Sequence, residues 1–137
     1  KSFIIKLIPP LAKSPSKELT HRPKVFFQDL GIRNAILNKL DFSLISADKG
    51  QLFENAVATQ LMQKEGPDSL KFWRTTNQTE VDFVVSKPSG KANAIEAKYQ
   101  WENKKSLPKN LLSLKKQYPD MIETIEVISK SNYWHLF

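Results

Sequence analysis

Charges stand in this chain where strands should be apolar. Asp82 interrupts Thr79-Glu80-Val81-Asp82-Phe83-Val84-Val85, and Glu96-Ala97-Lys98 follows Asn93-Ala94-Ile95. Both runs read as strands headed for a core. Residues two apart share a face of a strand, so Glu96 and Lys98 project together with roughly 6.6 Å between their Cα atoms, while Ile95 and Ala97 point the other way. Two carboxylates and a lysine meeting beside a hydrophobic sheet suggest a divalent-metal site. The chain contains no cysteine, which rules out disulfides and thiolate ligation. Oxygen-rich ligation then selects Mg²⁺, Mn²⁺ or Ca²⁺ over structural zinc.

Several elements must position these groups. Residues 3 to 8 form an apolar run stopped by Pro9-Pro10, and Lys24-Val25-Phe26-Phe27-Gln28 forms another. The two suggest a long hairpin whose Ser/Pro-containing loop carries Lys13, Lys17, Arg22 and Lys24 against Glu18 alone. That tip is either a solvated loop or a DNA-contacting wing. Ile32, Ile36, Leu37 and Leu40 have helical spacing and predict a short helix. Asp48 and Gln51 have capping-box spacing, and Leu52, Phe53, Ala56, Val57 and Leu61 make an apolar stripe that ends at Gly66-Pro67. Glu54 sits about 20° from Leu61 around that helix, on the edge of its buried face.

The alternation in Ser69 to Thr75, Glu80 to Val85 and Ala92 to Tyr99 predicts three consecutive strands, most simply an antiparallel meander. Ser106 is the expected cap of a second helix, in which Leu107, Leu111, Leu114 and Tyr118 form one face, Pro108 lies in the first turn and Pro119 follows the end. Residues 124 to 128 then return as a strand parallel to the third by a right-handed crossover. The reading is an α/β fold with helix, three strands, helix, strand from residue 48 onward.

The chain's 137 residues suffice for one domain with an ordinary core. A net charge of +7 and a pI near 9.6 suit a protein that meets phosphates or an acidic surface, and equally one that is merely kept soluble. No apolar run reaches the roughly 18 residues of a membrane span, so no membrane partner is expected and the cysteine-free composition fits a cytoplasmic setting. The chain opens on Lys1 inside a strand-like run, and the expectation is that it continues a longer protein.

The order of elements, with an acid on the first helix, Asp82 on the second strand and Glu96-x-Lys98 on the third, resembles the PD-(D/E)XK (restriction-endonuclease-like) nuclease superfamily over residues 48 to about 128. The resemblance implies an αβββαβ core, a mixed sheet flanked by helices, here preceded by a hairpin and short-helix extension. It further implies that Asp82 and Glu96 hold Mg²⁺ (or Mn²⁺), that Glu54 joins them, and that Lys98 aids the attacking water. Val81 stands where the superfamily name has proline.

A closer resemblance runs through Pro23 to Gly31, Gly50 to Val57, Phe72-Trp73-Arg74-Thr75, Glu80 to Val84 and Ile95 to Lys98. These segments look like the C-terminal domain of unknown function of predicted bacterial and archaeal AAA-type ATPases. That likeness implies a preceding ATPase domain, which alone would bind ATP, and a winged-helix segment of which residues 3 to 28 are the remains. No Gly-Lys-Ser/Thr phosphate loop occurs in this chain. Residues 1–47 are then hairpin and short helix, and residues 48–137 the nuclease-like domain.

Independently of any family, Glu54, Asp82 and Glu96 crowded together would raise one another's pKa unless cations compensate, and Lys98 supplies a single charge. Glu80 shares strand parity with Asp82 and reads as a supporting ligand or, preferentially, a solvated strand end. Trp73 is expected in the core, and Arg74 as either a carboxylate partner or a phosphate contact. The candidate nucleic-acid contacts are therefore Arg74, Lys13, Lys17 and Arg22. His21 and His135 have no ligand-spaced companion, and the lysines around the last helix read as a wet face. Three functions follow: a Mg²⁺-dependent phosphodiesterase acting on DNA under an attached ATPase, an inactive module of the same shape that binds nucleic acid or protein, and an oligomerisation domain.

Overall fold

The computed structural model describes residues 4–11, 22–102 and 106–137. A hairpin comes first, with β1 (Ile5–Ile8) antiparallel to β2 (Lys24–Phe27). Helices α1 (Leu30–Ile36), α2 (Phe42–Ala47) and α3 (Lys49–Glu65) follow. The strands β3 (Leu70–Arg74), β4 (Glu80–Ser86) and β5 (Ala92–Ala97) then form an antiparallel meander. Helix α4 (Lys109–Gln117) leads into β6 (Ile122–Ile128), which lies parallel to β5, and a short 3₁₀ turn closes the chain at Tyr133–Leu136. The sheet order is β3-β4-β5-β6, so this is a mixed sheet in an α/β fold with an N-terminal hairpin.

The sheet is covered on both sides because its strands carry apolar residues at both parities. Phe53, Val57, Ala58 and Leu61 of α3 pack with Phe83, Val85 and Ile95, while Leu111 and Leu114 of α4 pack with Trp73, Val81, Val84 and Ala94. Trp73 is therefore a core residue. Gly66 ends α3 with φ +86°, a left-handed conformation that a side chain would resist. The hairpin joins this body twice. Phe72 donates to the Pro9 carbonyl at 3.1 Å and accepts from Leu11 at 2.6 Å, so the chain after β1 runs along the free edge of β3. On the other side Asn55 of α3 acts as a strand neighbour: its Oδ1 accepts from Phe27 N at 3.0 Å and its Nδ2 donates to Phe27 O at 2.6 Å.

Four expectations are corrected. The stripe Ile32, Ile36, Leu37 and Leu40 faces outward, and the residue of α1 that points in is Arg33, which is 4 % exposed. Its partner is Asp48, reached at 2.6 Å, and a buried carboxylate of this kind requires a cation more than an apolar stripe requires that particular cover. Asp48 consequently makes no side-chain cap to α3, and α2, unread in the sequence, precedes it. The second helix begins after Pro108 rather than at Ser106, because a residue before proline is steered away from helical dihedrals. Leu107 is thereby left outside the helix and exposed.

Candidate active site

The β3-β4 ladder pairs Lys71 with Val84 and Trp73 with Val81, so Asp82 and Phe83 together stand opposite Phe72. This is a β-bulge, and it breaks the strict alternation of β4. Val81 and Val84 face α4, whereas Phe83 and Val85 face α3. Glu80 and Asp82 keep common parity on the α3 side, where both meet Lys24.

The β4-β5 ladder ends at Phe83 and Ile95, one position short of an Asp82–Glu96 pair. Beyond that point the strands part. The Ala97 N–H, without a strand partner there, donates to Asp82 Oδ2 at 3.0 Å. Asp82 thus lies in the fork between the strands, while Glu96 and Lys98 follow the strand period as expected, with Lys98 Nζ 2.8 Å from Glu96 Oε1. Asn110 of α4 donates to Glu96 Oε2 at 2.8 Å and also to the Glu80 carbonyl.

Lys24 of β2 is the centre of the other half. Its Nζ is 2.8 Å from Glu54 Oε1, 2.5 Å from Glu80 Oε1 and 3.2 Å from Asp82 Oδ1. It also lies 5.7 Å from the centroid of the Phe72 ring. Arg74 pairs with the second oxygen of Glu80 and stacks near the same ring. An open cleft of about 350 Å³ between β2, α1 and α3 has Lys24, Glu54 and Glu80 along its wall.

The structure therefore brings Glu54, Asp82, Glu96 and Lys98 to one end of the sheet from three elements. Lys24 and Glu80 stand among them. Glu80 is a working member of the charge network and not a solvated end. Arg74 has the carboxylate partner that was one of its two readings, with its side chain 43 % exposed. Arg22 is exposed just before β2. Lys13 and Lys17, like His21, lie outside the described residues. Among the described residues no three acidic or imidazole groups are spaced as a ready cation cage. The ammonium of Lys24 stands between Glu54 and Asp82 instead.

Electrostatics differ from acid to acid. Burial raises the pKa of Glu54, the neighbouring Asp82 raises it further, and Lys24 only partly offsets both. Burial and Asp82 likewise raise Glu96 against the pull of Lys98 and Asn110. Glu80 is pushed up by desolvation but more strongly down by Lys24 and Arg74, and ends below the ordinary carboxylate range. Desolvation alone would weaken the charge on Lys24 and on Lys98. Glu54, Asp82 and Glu80 around the first, and Glu96 beside the second, reverse this and hold both ammonium groups protonated above the usual lysine range.

Two members escaped the sequence reading, which put Lys24 at the tip of the hairpin and left Asn110 unremarked. Both carried a signal. Lys24 shares strand parity with Phe26, which is 5 % exposed, while Val25 between them is 53 % exposed. Asn110 lies four residues before the fully buried Leu114, on the inward face of α4.

Fold and site together define an α/β domain with a charged fork at the end of its central strands. A family model described as a domain of unknown function, DUF4143, matches residues 49–134, and the chain belongs to that family. No curated protein and no solved structure matches it significantly. Among the described residues no helix is long and apolar enough to cross a membrane.

Proposed function

We propose that this domain is a Mg²⁺-dependent phosphodiester-cleaving module of the PD-(D/E)XK type that acts on DNA, carried at the C-terminus of an AAA-type ATPase. The observation that supports the reading is the position of Asp82 in the fork between β4 and β5, where it shares Lys24 with Glu54 on the α3 side and bonds the Ala97 amide next to the Glu96–Lys98 pair. Burial of acids with surplus negative charge costs stability unless a cation compensates. The donor set is all oxygen and suits a hard divalent ion. Glu54, Asp82 and Glu96 would hold it, and when bound it would neutralise a phosphodiester and acidify water.

The chain's own residues divide the remaining work. Lys98 is held protonated by Glu96, so it serves as a fixed positive charge for a hydroxide or for the charge that develops on phosphorus, and not as a base near neutrality. Asn110 fixes the Glu96 carboxylate by occupying its second oxygen. The Ala97 amide does the same for Asp82. Arg22, Lys13 and Lys17 would supply non-specific affinity on the order of 10⁻⁴ to 10⁻⁶ M at physiological salt.

The test is divalent-metal-dependent cleavage of single-stranded, duplex and branched DNA. Asp82→Ala and Lys98→Ala are expected to abolish it, and unchanged cleavage in both variants rejects the assigned site. A second reading, an inactive module that positions the ATPase on DNA or protein, is favoured by one specific observation: the Lys24 ammonium already satisfies Glu54, Glu80 and Asp82. It predicts salt-sensitive DNA binding in gel-shift titrations with no turnover in any metal.

A further inference from the structure

Lys24 comes from the hairpin, outside the residues that form the αβββαβ core, and yet its Nζ is the cation that Glu54 and Asp82 share. Its side chain is only 15 % exposed, so the ammonium is not a casual surface contact. A divalent ion bridging the same two carboxylates would have to share or take its position. Two positive charges at that spacing repel strongly in a partly desolvated site. The open cleft along Lys24, Glu54 and Glu80 offers space into which a flexible four-carbon side chain can swing.

We propose that Lys24 is a built-in competitor for the metal: its ammonium closes the site by pairing with Glu54 and Asp82, and it must withdraw from them for a divalent cation to enter. This inference rests on the metal reading above. It makes the hairpin, held by the Asn55 clamp and the Phe72 main chain, the element that sets how readily the site loads. The same lysine protects the empty site by balancing its acids. Metal and lysine are therefore alternative counter-ions, and removing one increases the demand for the other.

The experiment is a Mn²⁺ titration followed by electron paramagnetic resonance of the free ion, with wild type, Lys24→Met and Lys24→Gln side by side. Both variants are expected to bind Mn²⁺ about tenfold tighter or more, as the loss of a competing unit charge predicts. Mg²⁺ should also raise the melting temperature of the variants by more than that of wild type. In the Lys24→Met background, adding Asp82→Asn should remove the gained affinity. Equal or weaker binding by folded variants overturns the competitor role and leaves the metal reading standing. Absence of binding by all three proteins overturns both.

Should the variants fail to fold, wild type alone decides. The Lys24 ¹³Cε and ¹⁵Nζ resonances are expected to move on saturation with Mg²⁺ as the ammonium leaves its carboxylates. If they stay fixed while the Glu54 and Asp82 carboxyl carbons shift, Lys24 does not compete. If none of these resonances moves, no ion enters the site.

Discussion

Two charge clusters in this molecule, one built on the buried Arg33–Asp48 pair and one half-buried at the fork, show opposite behaviour. At the junction of α1 and α3, Asp48 meets Arg33 at 2.6 Å and Lys39 at 3.1 Å, so one acid faces two cations. Desolvation pushes Asp48 up, but Arg33 and Lys39 outweigh it and leave the carboxyl below its ordinary range. At the fork, Glu54 and Glu96 have lysines just as near and are nevertheless raised. The difference is that burial and the neighbouring Asp82 act together on the two glutamates, whereas at Asp48 burial is opposed by two cations and reinforced by no second acid. Glu54, Glu80, Asp82 and Glu96 outnumber Lys24, Arg74 and Lys98. The first cluster satisfies its acid and joins helices; the second leaves acids wanting positive charge, which a packing device has no reason to do.

The largest expected effect lies at the fork. In a metal-dependent cleavage assay Asp82→Asn should lower the rate by more than about 100-fold, since even outer-shell partners of a catalytic metal can matter by that much. Near-normal cleavage would remove the contrast between the clusters. Next comes the structural pair. Arg33→Met leaves Asp48 buried with Lys39 alone and should cost about 3 kcal/mol in denaturant unfolding, the lower end for breaking a buried pair. The double variant Arg33→Met/Asp48→Leu should recover much of that loss. A similar loss in single and double variants would mean that packing, not charge, holds α1.

A smaller effect has a pH signature. An acid whose folded pKa is raised destabilises the fold while ionised, and the cost vanishes as pH falls through that pKa. Glu54→Gln should therefore be as stable as wild type or up to about 1 kcal/mol more stable at pH 7, with the two converging in acid. Asp48, whose pKa is lowered, has the opposite sign: its contribution is present above the unfolded pKa and is lost as pH falls through the folded one. Urea midpoints from pH 3 to 8 distinguish the two, and a Glu54→Gln variant that weakens only at neutral pH would contradict the excess of negative charge. The smallest effect is at Lys87–Glu123, an exposed pair 2.6 Å apart, where Lys87→Ala should leave the melting curve unchanged.

How far each feature could be read depended on the range of the forces behind it. The meander and the parallel return of β6 follow from alternation and from a short helical crossover, both local. Glu96 and Lys98 share a face because the strand period is two. Glu54 falls at the rim of α3 by the helical period. Three features broke the local rules. The bulge at Asp82-Phe83 needs knowledge of Phe72 across the ladder. Arg33 turns inward because of a carboxylate fifteen positions later. Lys24 reaches Glu54 and Asp82 through a hairpin whose docking depends on Asn55 and on the main chain of Phe72.

The sequence by itself determined the class of fold, the order of its elements and the chemical types that could gather at the end of the central strands. Side-chain periodicity and turn residues act over a few positions, and they suffice for that. Only the tertiary structure decided which counter-ions those acids receive, because charge balance in a buried site is settled by groups far apart in the chain. A lysine at the start of β2 is unremarkable until the hairpin folds against α3. It then becomes the nearest cation to Glu54 and Asp82, and Coulomb attraction in a desolvated pocket keeps it there.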